Sequence, residues 1–168
     1  MGLNVEDLVK VANQLVVISQ KLPSNINPER VGGYLTVGLD GISTKHILGI
    51  GKYDLTQREL YRRFSQEKVH RLYSEWLKDP ITSISSWQTR EQKTGKYGGA
   101  VLFNTIEDVD RPSCDIISFS GLNEHTDEAL SLTLGHYLGW GTPDNVLKII
   151  AISDNKVFDE MFLAFFSR

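Results

Sequence analysis

A chain of 168 residues has the length of one domain, and a domain of that size buries about two-thirds of the surface its unfolded form exposes. Its composition, 40% apolar and 23% charged, is that of an ordinary globular protein, and a formal charge of −3 excludes a chain-wide polyanion-binding surface. One cysteine, Cys114, excludes an internal disulfide, a cysteine-rich zinc site and a Cys-x-x-Cys-His haem attachment, and reads as a small buried hydrophobe.

The N-terminus lacks the cationic stretch and apolar run of a secretory signal, Glu6 spoils a myristoylation pattern, and no apolar run approaches the ~20 residues of a bilayer-spanning helix. The expectation is a cytoplasmic protein that meets neither membrane nor nucleic acid. Residues 5–22 place Leu8, Val11, Ala12, Leu15, Ile18 and Leu22 at helical spacing, with Asn4 as cap, Val16 and Val17 widening the buried side, and Pro23 as stop. Residues 34–39 and 46–50 read as an antiparallel hairpin turning at Asp40-Gly41.

Thr56 and Glu59 have capping-box spacing, which starts a long helix reaching about residue 78. In that helix Leu60, Tyr61, Phe64, Leu72, Tyr73, Trp76 and Leu77 point inward, while Arg62, Arg63, Lys68, His70 and Arg71 lie on a solvated face. Residues 81–87 suggest a short strand, 88–97 an exposed mobile flap, 98–103 a strand and 104–113 an acidic, solvated turn that lacks the spacing of a calcium loop. Residues 115–120 are a buried strand. Ser120 and Gly121 end it, Asn123 and Thr126 offer capping oxygens, and Glu124, Asp127 and Glu128 complement the dipole of the helix that follows. Residues 146–152, an apolar and β-branched run, are expected to be a strand, and a final helix carries Val157, Phe158, Met161, Phe162 and Phe165. The fold class is α+β, one domain with an antiparallel sheet covered by helices.

The helix leading to a hairpin with Asp40-Gly41 at its turn, the helix after the paired strands, and ISFSG followed by Asp127-Glu128 resemble the haem-degrading or haem-binding domain family. That family includes extracellular haem-binding sensors and the C-terminal domain of PduO-type cobalamin enzymes. The likeness spans residues 5–138 and leaves 139–168 as a C-terminal helical extension. It implies a profilin-like arrangement, a homo-oligomer, and a haem or other tetrapyrrole site.

A tetrapyrrole needs an axial donor, an apolar slot and cations for its propionates. His125, at the Gly121 junction, is the candidate metal ligand, and Gly121, Asn123, His46 and His136 are candidate cofactor-binding residues. His70 reads as solvated. Ser118 and Ser120 lack the glycine of a nucleophile elbow on their N-terminal side, and the adjacent Asp127 and Glu128 diverge by about 100° on a helix, so neither pair suggests a catalytic centre. The expected function is small-ligand binding without catalytic machinery. The alternative is a regulatory or protein-interaction module that keeps the fold and presents Trp87, Trp140 and Phe166 to a partner.

Overall fold

The computed structural model describes residues 2–105 and 113–167, so the acidic turn lies largely outside the described residues. Four strands, β1 (Gly32–Leu39), β2 (Thr44–Gly51), β3 (Ala100–Thr105) and β4 (Ser113–Ser120), form one antiparallel sheet in the order β2-β1-β4-β3. The hairpin closes where Leu39 pairs with Thr44, and Asp40 and Gly41 both take positive φ in the turn. Five helices complete the α+β domain: α1 (Val5–Ser19), α2 (Arg58–Lys78), α3 (Glu124–Tyr137), α4 (Pro143–Ser153) and α5 (Lys156–Phe166).

Strand alternation sorts the apolar residues into two cores. Leu35, Val37, Val101, Ile117 and Phe119 meet α1, α3 and α5 on one face, where α5 contributes Val157, Phe158 and Met161. Ala100, Leu102, Cys114 and Ile116 meet Val69, Leu72 and Trp76 of α2 on the other. Helices α4 and α5 thus contribute to the main core. Cys114 is sealed in the smaller core, and burial pushes its thiol up to about 12, as an inert residue requires.

Several local expectations are corrected. Residues 146–152 form helix α4, whose buried residues Val146, Ile149 and Ser153 follow helical spacing while Leu147 and Ile152 stay exposed. Thr56 sits inside a 3₁₀ turn (Leu55–Gln57) capped by Asp54, and α2 begins at Arg58 with no side-chain cap, so the capping box is absent. Val17 and Leu77 are exposed. Residues 81–87 hold one bridge, Ser85 to Val101, and run into a 3₁₀ helix (Ser86–Thr89). The expected flap is tied down: Arg71 donates to Ser86 O, Thr89 Oγ1 and Tyr97 O at 2.9, 2.6 and 2.6 Å.

Candidate functional site

β4 delivers the chain to α3 through Gly121, whose φ of +144° suits glycine alone. A Cβ there would lie 2.3 Å from Gly32 O, so this glycine lets the chain pass close to the backbone of β1. Asn123 caps α3 by accepting from Thr126 N, and its Nδ2 donates to Asn25 Oδ1 at 2.8 Å. Leu122 N donates to Asp127 Oδ1, and Leu122 O accepts from Arg30 Nη1 at 2.7 Å. The Leu122 and Thr126 N–H groups therefore go to the protein's own side chains.

Behind the corner lies the least expected feature of the molecule. Lys68, assigned from sequence to a solvated face, is 1% exposed and donates to Phe119 O at 2.8 Å and Asp127 Oδ2 at 3.3 Å. Its ammonium passes Gly99, where a Cβ would lie 2.9 Å from Nζ and 2.8 Å from the Asp127 Cβ. One side chain thus ties α2, on one face of the sheet, to α3 on the other. Burial pushes the Asp127 carboxyl up to about 6 against the opposing pull of Lys68, the Leu122 N–H and Arg30.

Glu128 faces a different set of partners. It is fully buried, and it receives Ser153 Oγ, Asn155 Nδ2 at 3.0 Å and Ser85 Oγ at 3.1 Å. Burial raises its carboxyl above the usual range, while those donors and His125 pull it back. The two carboxylates, expected to serve the helix dipole from the surface, are instead interior clamps to separate elements, and both are sealed from solvent. Glu124 holds the preceding segment, accepting from Arg90 Nε and Nη2 at 2.8 and 2.7 Å, from Gln92 Nε2 and from Gly98 N. Burial acts upward on Glu124, but these bonds outweigh it and its carboxyl lies below the usual range.

The five residues predicted for a ligand do not converge. His125 stands in the first turn of α3 with Nε2 3.0 Å from Ser153 O. A carbonyl only accepts, so Nε2 carries a proton and donates. The ring lies 4.7 Å from that of Trp87, which Arg90 covers on a contact of 4.7 Å. The concavity that His125 shares with Asn123 holds 160 Å³, below the roughly 300 Å³ at which ligand pockets begin. Haem bound through His125 does not fit this arrangement. His46 lies on edge strand β2 opposite Val37, and His136 packs edge-on against Phe162 and Phe166 of α5. Among the described residues, no three His, Cys, Asp or Glu gather as a metal site.

Gly121 lines a different hollow, of 320 Å³, where the start of β1, the end of β2, the end of β4 and the first turn of α2 meet. Its walls include Arg30, Lys52, Tyr53 and Tyr61. Sequence reasoning missed Arg30, Lys52 and Tyr53 because each sits in a connector, where no periodicity marks it, and it placed Tyr61 on the inward side of its helix without linking it to a site. Lys68 did carry a signal: Ser65, Lys68, Val69, Leu72 and Trp76 form one buried stripe at helical spacing, with the lysine inside it.

Among the described residues, no helix is long and apolar enough to cross a membrane. No family model matches the chain, and no curated protein or solved structure matches it.

Proposed function

We propose that the protein is a small-ligand-binding domain without catalytic machinery, and that its site is the hollow beside Gly121. The observation that carries this reading is the 320 Å³ concavity at the strand-to-helix corner, within the size range of ligand pockets and lined by both aromatic and cationic side chains. A tetrapyrrole, implied by the family resemblance, is one ligand to test in this hollow and not at His125. Screening haemin and small organic molecules against isotopically labelled protein by NMR tests the reading. Shifts clustered on Gly32, Tyr53 and Gly121 are expected, and no Soret change that depends on His125. Binders that perturb only other surfaces, or a Soret shift abolished by His125→Ala, would overturn the assignment of the site.

A second reading, a protein-interaction module that self-associates, draws support from the outer ends of α3 and α5. There Tyr137, Leu163 and Phe166 are 38%, 62% and 42% exposed beside an interlocked set of rings. Trp87 and Trp140 do not join this surface: each is half-buried, against Arg90 and Phe103 respectively. Concentration-dependent sedimentation that Phe166→Ser abolishes would favour this reading.

A further inference from the structure

The hollow beside Gly121 has two cations and two carboxylates on its walls, Arg30 and Lys52 against Glu29 and Asp54. Counted as formal charges they cancel, and they differ in which of their polar atoms the protein itself engages. Asp54 turns its Oδ1 to Thr56 N at 2.9 Å, capping the 3₁₀ turn, and Glu29 Oε1 accepts from Asn27 Nδ2 at 3.3 Å. Each acid thus has one of its oxygens turned to a donor of the protein itself. Among the described residues Arg30 makes one hydrogen bond, Nη1 to Leu122 O at 2.7 Å, which fixes the guanidinium across the corner and leaves the rest of its fork without a partner there. Lys52 has no side-chain hydrogen bond or ion pair among the described residues.

The aromatic wall is fixed as well. The Tyr53 ring lies 5.3 Å from that of Tyr34, a 6% exposed residue whose hydroxyl accepts from Arg58 Nε at 3.0 Å. The Tyr53 hydroxyl rests over Gly49, where a Cβ would approach it to 2.6 Å. Gly49 therefore makes room for the ring that forms the wall.

Resting on the proposal that this hollow binds a small ligand, we infer that the ligand is a flat organic anion. Its carboxylate or phosphoryl group takes the unpaired donors of Arg30 and Lys52, and its ring packs against Tyr53 and Tyr61. Charge-assisted hydrogen bonds to a guanidinium supply the selectivity, because a neutral ring of the same shape leaves both cations unpaired.

The test is calorimetric titration of the full chain with benzoate, phenyl phosphate, inorganic phosphate and, as the uncharged ring, benzyl alcohol. Binding of at least one aromatic anion is expected, at least ~10-fold tighter than benzyl alcohol and weakening as salt rises. Whether benzoate or phenyl phosphate binds tighter identifies the anionic group. Arg30→Gln and Lys52→Gln, both at exposed positions, are each expected to weaken the anion ~10-fold and to leave benzyl alcohol unchanged. Gly49→Ala, which displaces Tyr53 without altering charge, weakens benzoate and phenyl phosphate while leaving inorganic phosphate alone. Equal affinity for anion and benzyl alcohol, or insensitivity to both charge substitutions, overturns the inference while the hollow stands as a ligand site. If no aromatic anion binds, the inference fails, and if haemin and the wider screen also leave the hollow untouched, the proposed function fails with it.

Discussion

Lys68 is the residue on which the two layers of the domain depend. Burying an ammonium and a carboxylate costs several kcal/mol per ion, and this pair recovers part of that through its own bond, the bond Lys68 donates to Phe119 O and the one Asp127 accepts from Leu122 N. Removing one partner leaves the other charge in the interior. Lys68→Ala is therefore expected to cost about 3–5 kcal/mol in urea unfolding. Lys68→Met combined with Asp127→Asn, which keeps the stem volume and an acceptor for Leu122 N, should cost less than the two single changes added together. The coupling expected is about 0.5–3 kcal/mol. Additive losses would show that Lys68 contributes through packing alone.

At the scale of elements, the corner between α4 and α5 is held by polar groups from α3. Asn155 caps α5 through Val157 N, donates to His125 O at 2.8 Å and donates to Glu128, so one amide joins α5 to two residues of α3. Asn155→Ala is expected to destabilise the fold by about 1–3 kcal/mol and to speed amide exchange in α4 and α5 before the sheet. Uniform acceleration across the chain would instead mean that the corner opens only with global unfolding. How legible these elements were follows from where their signals lie. α1, the hairpin and the strand-to-helix junction carried apolar periodicity, turn residues or caps in the sequence itself. α4 did not stand out by composition, since VLKIIAI is as β-branched as a strand. Its start was written just upstream, in Thr142 as cap, Pro143 in the first turn and Asp144 beside it, a pattern that outranks the composition of the run. The site was less legible than the fold. The hollow is made of element ends brought together by strand order, and the contact that turns Arg30 across the corner to Leu122 is a tertiary one that spacing does not encode.

At the scale of the whole molecule, the buried acids contribute a pH dependence opposite to the usual one. Paired carboxylates ordinarily lie low and fail as pH falls, but the Asp127 carboxyl is raised from its ordinary 3.8 to about 6 by burial, and burial also raises Glu128 and Asp115. A raised acid binds its proton more tightly in the folded state than in the unfolded one, so stability declines as pH rises from the unfolded value to the folded value and is level above it. For Asp127 that window runs from 3.8 to about 6, and the difference is worth about 3 kcal/mol. Glu124, Asp54 and Asp79 act in the opposite sense, since a lowered carboxyl contributes above its unfolded value and loses that contribution as pH falls. Comparing wild type with Asp127→Asn across a buffer series cancels Glu124, Glu128 and Asp115 and isolates the one group. The wild-type melting temperature, relative to the variant, should fall steadily as pH climbs through the window and then hold constant. A difference flat throughout would mean that Asp127 titrates at its ordinary value, and that Lys68 offsets the whole cost of its burial.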